Sequence, residues 1–407
     1  MEKKKEIIFI GTYAAKNYLK ELLEQKKYDQ LAANQTEEYY IRGLSNVVDN
    51  IAVFSALVVA SYPNNNYKSM PFNREIIDNG VVENVNFINL PIIRFICQII
   101  ELCKRINMYI NQHKNESEIT IIVYSMRLPY YIAAKYAKSL IPNAKCINIV
   151  PDVPVYMHMK ENTIKSRLKS KFNQYLLLKL TKIFDGFVLY TETMRDIIKC
   201  DKKNSIVIEG IISSNKNIEL DNGSIDEKKK IVMYAGGLDR EYGVELLVKG
   251  FLKAKIPNSE LHLYGKGNYV NEIQKISKEN ATVKYFGLVS PKTIKEKMTY
   301  VNLLVNPRPT KEEFTRYSCP SKTLEYMASG VPFLTTRLEG IPQEYFNYVY
   351  TIDDESIDGI ANVLTNFFQE PLYYRQDKAK KAKEFILCEK NEKVQISKLI
   401  EFIKVLK

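Results

Sequence analysis

Short apolar runs, each the length of one buried strand, recur along this 407-residue chain and alternate with stretches whose apolar residues return every three or four positions. The first is Ile7-Ile-Phe-Ile10, closed by Gly11. The pattern predicts further strands at 52–59, 119–124, 146–150, 186–190 and 205–208, with helical stretches between them. Such alternation is the mark of a parallel sheet covered by helices, because parallel strands need a crossover connection. After Gly210 the pattern lapses into polar sequence through 213–217 and 226–230, the best linker candidate. A second series follows, with strands at 231–235, 260–264, 283–286, 302–306 and 333–335. Helices are predicted at 244–254 and 269–279, and a short one begins near Lys322. The expected fold is α/β, with two doubly wound, Rossmann-like domains at 1–217 and 218–383. Segment 384–407 reads as one helix returning to the first domain, with Val394, Ile396, Leu399, Ile400, Ile403 and Leu406 as its apolar positions.

Composition narrows the partners. The formal net charge of +12 favours a phosphorylated substrate or an anionic membrane surface. Nucleic acid is not expected, because the cations are dispersed and no nucleic-acid-binding motif accompanies them. Six cysteines without Cys-x-x-Cys spacing imply free thiols in a reducing compartment and no zinc site. His113, His158 and His262 are scattered, which favours structural roles. The basic start before Ile7 is followed by an apolar run too short for a secretory signal. Segment 51–67 is interrupted by Ser55, Ser61 and Asn64 before it reaches membrane-spanning length. A cytoplasmic protein is expected.

The most informative stretch is Ser318-Cys-Pro-Ser-Lys-Thr-Leu-Glu-Tyr-Met-Ala-Ser-Gly-Val-Pro332. Pro320 and Ser321 signal helix entry, Gly330 and Pro332 signal exit, and Leu324, Met327 and Ala328 form a short apolar stripe. A helix start presents unpaired N–H groups and the positive end of its dipole, so Ser321, Lys322 and Thr323 are suited to an anion. A surface pair of Lys322 with Glu325 on an ordinary helix is the bland alternative. At the head of the second series, Gly236-Gly-Leu-Asp-Arg-Glu-Tyr-Gly243 lies between a strand and a helix. Its glycines admit a phosphate close to the backbone, and Arg240 adds a cation. Gly265-Lys-Gly267 ends another strand, but position 270 is Val, so the dinucleotide fingerprint is absent and an NAD enzyme is not expected. Asp-x-Asp occurs nowhere in the chain. A leaving diphosphate would then be neutralised by cationic side chains and a helix dipole, with no metal or other cofactor.

These residues resemble a known family. Gly236-Gly-Leu through Glu245-Leu-Leu, Tyr264-Gly-x-Gly267, Phe286-Gly287, Asn306-Pro-Arg308 and above all Pro320 to Pro332 resemble the nucleotide-sugar domain of glycosyltransferase family 4, nearest to bacterial polysaccharide transferases. The resemblance is strong over 231–352 and recognisable in Val150-Pro-Asp-Val-Pro154, Tyr190-Thr-Glu192 and Ile208-Glu-Gly210. It implies a GT-B fold with the two domains facing across a cleft, metal-independent transfer with retention, and a donor diphosphate held by the second domain. By position Glu325 matches the second glutamate of the family's Glu-x7-Glu motif and is expected on the donor ribose. Tyr317 stands where the first glutamate belongs, and Glu312 or Glu313 is its candidate replacement. Gly237 and Tyr242 replace the family's usual Arg and Lys. The resemblance therefore assigns donor contacts to Gly236, Gly237, Arg240, Gly265, Arg308, Glu313, Ser321, Lys322, Thr323 and Glu325. Tyr124, Ser125 and Arg127 stand where many relatives keep a histidine. Gly11, Arg127 and Asp152 are expected on the acceptor side, with a turn-capping role the alternative for Asp152. Asp152, Arg240 and Lys322 are the catalytic candidates.

Segment 164–183 adds a further expectation. Ile164, Leu168, Phe172, Leu176 and Ile183 share a helix face among Lys165, Arg167, Lys169 and Lys171, suiting either an anionic bilayer or a solvated domain surface. The expected function is transfer of a sugar from a nucleotide-diphosphate donor to a saccharide acceptor, lipid-linked, at the inner face of the cell membrane. A silent nucleotide-sugar-binding homologue and a nucleotide-sugar epimerase are the alternatives.

Overall fold

The computed structural model describes residues 3–153, 164–213 and 228–406. The chain forms two compact units, one of Met1–Ile211 with Glu392–Lys407 and the other of Ile212–Asn391.

The first unit is built on an eight-stranded sheet. Its strands are β1 (Lys4–Gly11), β2 (Asn50–Ser55), β4 (Asn73–Ile77), β5 (Gly80–Asn84), β7 (Ser117–Tyr124), β8 (Cys146–Val150), β9 (Gly186–Leu189) and β10 (Ser205–Val207). A separate ribbon pairs β3 (Ser69–Met70) with β6 (Phe87–Ile88). The sheet order is β10-β9-β8-β7-β1-β2-β5-β4, parallel except for the β4–β5 hairpin. The strand predicted at 52–59 ends at Ser55, because the chain leaves the sheet to cover the end of β1. Ala56 N donates to Gly11 O at 3.0 Å and Val58 N to Thr12 Oγ1 at 2.9 Å.

The second unit holds a six-stranded sheet, parallel throughout, in the order β13-β12-β11-β14-β15-β16. Its strands are β11 (Lys230–Ala235), β12 (Ser259–Tyr264), β13 (Val283–Tyr285), β14 (Leu303–Asn306), β15 (Phe333–Thr336) and β16 (Tyr350–Ile352). Successive strands run outward from β11 to β13, and the chain then returns to the other side of β11 for β14. The switch point therefore lies between β11 and β14, where doubly wound sheets open a crevice at their C-terminal ends.

Segment 384–407 is not one helix. Leu372–Glu389 belongs to the second unit, and Glu392–Val405 packs into the core of the first. Hydrogen bonds hold the break: Lys390 O accepts from Ile212 N at 3.0 Å, and Asn391 Nδ2 caps Leu387 O at 2.8 Å and Cys388 O at 3.0 Å. Ile396, Leu399, Phe402 and Ile403 then join Ile7, Phe9, Ile41 and Leu44 in one buried cluster. Arg42 Nε donates to Glu392 at 2.9 Å, fixing the start of that last helix. No helix among the described residues is long and apolar enough to cross a membrane.

Candidate functional site

A cavity of about 480 Å3 opens at the β11/β14 switch point of the second unit. Tyr234, Ala235, Gly236 and Gly237 reach it from the end of β11, Asn306 and Arg308 from β14, Lys266 from the loop after β12, and Pro320, Lys322 and Tyr326 from the helix Ser321–Ser329. Asp239, Tyr242 and Leu288 complete the lining.

Close packing of two loops shapes its floor. Gly265 has φ +136°, and a Cβ there would stand 1.9 Å from Gly236 O. Gly236 N in turn donates to Tyr264 O at 3.0 Å, and Leu238 N to Lys266 O at 2.9 Å. No side chain fits between these strand ends, which is why the glycines occur there.

The Ser321–Ser329 helix is anchored by Tyr326, whose ring is fully buried. Its hydroxyl donates to Ala235 O and accepts from Ala235 N, both at 3.1 Å, tying the helix to the end of β11. Pro320 in the N-cap position provides no side-chain cap; Thr323 N donates to Pro320 O at 2.8 Å, and the N–H groups of Ser321 and Lys322 are left for the cavity side. Tyr326→Phe should leave both Ala235 groups without that partner and cost about 1–3 kcal/mol, read by urea denaturation.

Three cations border the cavity: Lys266, Arg308 and Lys322. Lys266 is exposed and, among the described residues, makes no ion pair. The Arg308 guanidinium lies 4.8 Å from the Tyr242 ring and 5.6 Å from that of Phe314, and reaches Ser318 Oγ only at 3.5 Å. Its Nε is buried without a partner. Lys322 Nζ pairs with Glu325 Oε2 at 2.9 Å, with both side chains more than a third exposed. Such an exposed pair contributes little and can exchange for an anion.

The remaining candidates lie elsewhere. Arg240 is outside the cavity lining: it pairs with Glu245 at 2.5 Å, covers Tyr269, and borders a neighbouring depression with Lys249, Lys311 and Glu312. Glu313 is exposed and opens the 3-10 turn Glu313–Tyr317, so neither Glu312 nor Glu313 lines the cavity. That turn presents Phe314 to Tyr242 and Arg308 instead. Ser321 is exposed at the helix start, Thr323 is buried with its Oγ1 unpartnered, and Glu325 is half-buried beside the cavity rim. No group of three or more His, Cys, Asp or Glu side chains among the described residues is placed to hold a metal.

In the first unit Gly11 closes β1, Arg127 precedes the helix Leu128–Leu140, and Asp152 follows β8, all at the C-terminal edge of neighbouring strands. Asp152 is exposed at this edge, and desolvation by the protein packed around its carboxyl raises it from its ordinary value of 3.8. A residue missed in the sequence, Glu37, organises this edge. Its carboxylate lies where a Cβ on Gly11 would project, 2.0 Å away, and accepts from Thr12 N at 2.9 Å. Asn34, one helical turn earlier, accepts from Ala14 N at 2.7 Å. Complete burial holds the Glu37 carboxyl well above its ordinary value of 4.5, so the folded protein keeps its proton where the unfolded chain has lost it. Stability therefore falls as pH rises between those two values. Glu37→Gln should flatten the fall in melting temperature as pH rises above 4.5.

Two of the histidines have structural settings. His113 stacks on Tyr109 and meets Glu6 at 3.0 Å, and His262 meets Glu260 at 2.7 Å. His158 lies outside the described residues, as do the side chains of Ile164, Lys165, Arg167, Leu168 and Lys169.

Solved structures with the same architecture are GT-B glycosyltransferases. The apo OtsA structure superposes with a TM-score of 0.68 at 10% identity, covering 98% of this chain and 99% of that one. The apo lipopolysaccharide outer core galactosyltransferase WaaB gives 0.59 at 13%, covering 98% and 99%. Anabaena Alr3699/HepE in complex with UDP and glucose gives 0.59 at 14%, covering 98% and 100%. These likenesses define the fold class. Residues 215–385 match the family Glycosyl transferases group 1, so the chain carries a group 1 glycosyltransferase domain and is, by class, a glycosyltransferase. No curated protein sequence matches the chain significantly.

Proposed function

We propose that this protein moves a sugar from a nucleoside-diphosphate donor to a lipid-linked saccharide acceptor in surface polysaccharide synthesis. On this reading it works in the cytoplasm at the inner face of the membrane, with retention at the anomeric carbon and without a metal. The observation that carries the reading is the set of three cations, Lys266, Arg308 and Lys322, around a switch-point cavity beside an uncapped helix start. A diphosphate suits that charge and those free N–H groups, and charge-assisted hydrogen bonds contribute about 1.5–3 kcal/mol each. Gly236 and Gly237 let the phosphates approach the backbone, and Glu325 takes the ribose hydroxyls once Lys322 turns to the phosphate. HepE was solved with UDP and glucose, which supports a UDP-type donor.

In the transfer step the acceptor hydroxyl oxygen bonds to the anomeric carbon as the bond from that carbon to the diphosphate oxygen breaks, and the hydroxyl proton passes to the departing phosphate. The cations act on the negative charge that develops on that leaving group. Gly11, Arg127 and Asp152 are assigned to the acceptor, and Asp152, with its raised affinity for a proton, suits a hydrogen bond to a sugar hydroxyl. Arg240 is reserved for a donor-bound state in which its pair with Glu245 opens.

The test is turnover of a panel of nucleotide sugars by the purified protein with saccharide-lipid acceptors, followed by mass and NMR analysis of products. Transfer that disappears in Lys322→Ala and Glu325→Ala supports the proposal. Donor binding without turnover points instead to a silent homologue, a reading favoured by the absence of Glu312 and Glu313 from the cavity. Donor conversion without acceptor points to an epimerase.

A further inference from the structure

The helix Ile93–His113 buries Leu102, Ile106 and Ile110 against the first unit, yet its outward side is apolar as well. Ile92, Ile96, Ile100 and Met108 recur at multiples of four and are 65%, 53%, 58% and 50% exposed. On the helix that spacing puts Ile96, Ile100 and Met108 in one stripe, with exposed Lys104 at the remaining position and Ile92 just before the first turn. Scattered exposed apolar residues are ordinary, whereas a contiguous stripe marks an interaction surface. Ile88 of β6, which packs on this helix, extends the patch and is 48% exposed.

Charge identifies the occupant. Arg94, Lys104 and Arg105 lie on the helix against the single carboxylate of Glu101. Exposed Arg74 on β4 adds a cation nearby, where Arg74 and Arg105 share Glu83. The next helices continue the theme: Ile93–His113 packs on Leu128–Leu140, which packs on Ile164–Leu180. There Phe172 and Tyr175 are exposed among exposed Lys171 and Lys179. A two-fold pairing of this face with a second copy would bring its cations against one another. An anionic lipid surface takes up both the apolar stripe and the cations.

We propose that the Ile92–Met108 stripe rests in the interface of an anionic phospholipid bilayer, with Lys104 and its neighbouring cations at the headgroups. The inference deepens the membrane-facing part of the function proposed above and is independent of donor chemistry. The experiment is sedimentation of the full chain with vesicles of phosphatidylcholine, alone or mixed with phosphatidylglycerol. The wild-type protein is expected to pellet with the mixed vesicles and remain in solution with pure phosphatidylcholine. Ile96→Glu/Ile100→Glu should abolish pelleting while its melting temperature stays at the wild-type value. Lys104→Glu should lower the partition coefficient roughly tenfold at low salt. Wild-type protein that stays in solution with the anionic vesicles, or a double variant that pellets like wild type, overturns the proposal. A wild-type dimer in light scattering that the double variant dissolves also overturns it, in favour of a second copy. Donor binding measured without vesicles separates the two readings: if it is absent from the wild type, the sugar-transfer assignment falls and the vesicle result still stands.

Discussion

Arg308→Ala should weaken binding of a nucleoside diphosphate by roughly 10- to 100-fold, the loss expected when a charge-assisted contact is removed. Arg308 is the cation best prepared for a ligand. Its guanidinium lies against the rings of Tyr242 and Phe314, and its Nε is buried without a partner. A buried donor with nothing to bond is costly, and a phosphate oxygen in the cavity would relieve that cost. Arg308→Lys should recover only a small part of the binding, because an ammonium has neither the planar fork nor the stacking surface. Isothermal titration calorimetry checks both variants. Melting curves alongside separate lost binding from lost packing of the two rings.

Gly265→Ala should be among the most damaging single substitutions in the second unit, costing at least about 3 kcal/mol and removing donor binding as well. Two penalties coincide at that position. Its φ of +136° is a region that side chains avoid, and the added Cβ would lie 1.9 Å from Gly236 O, a backbone atom that cannot rotate aside. The β11 and β12 loops would have to part, which displaces the Gly236–Gly237 wall of the cavity. Gly287 supplies the control, since its φ is +73° but nothing lies within 4 Å of an added Cβ. Gly287→Ala should therefore cost only about 1–2 kcal/mol, the backbone penalty alone. Chemical denaturation of the two variants separates strain from collision.

Much of the scaffold was legible because buried parallel strands have a plain signal. Cys146–Val150 and the helix Val244–Ala254 lie where the apolar pattern put them, and the strands expected in the second unit begin and end within about two residues of expectation, whereas the edge strand Tyr350–Ile352 carried too short an apolar run to be read. The Asn73–Asn84 hairpin was missed, although Asp78-Asn79-Gly80 carries a turn signal, because exposed Ile76 and half-buried Ile77 blur its alternation. The end of the helix at Glu389 was hidden because a bond that holds the break, from Ile212 N to the carbonyl of Lys390, joins residues remote in sequence.

The site was legible where local sequence makes local chemistry. The start of the Lys322 helix and the Gly236 loop could be read directly, and both border the cavity. Arg308 entered only through the family resemblance, since nothing near it in sequence announces its seat on Tyr242 and Phe314. Lys266 stands between two glycines that carry the family resemblance, and nothing in the local sequence marks its own side chain as a cavity cation. The sequence could not reveal that Arg240 pairs with Glu245 and stays out of the cavity lining. Glu37 was invisible for a similar reason: it meets Thr12 across 25 positions, and a glutamate on a helix ordinarily faces water.

The most direct test of the account is a crystal structure of the protein with a bound nucleoside diphosphate. The account predicts the diphosphate at the start of the Ser321–Ser329 helix, against the Gly236–Gly237 backbone and within hydrogen-bonding distance of Lys266, Arg308 and Lys322. A diphosphate held instead in the neighbouring depression by Arg240, Lys249 and Lys311, with the switch-point cavity empty, would contradict it.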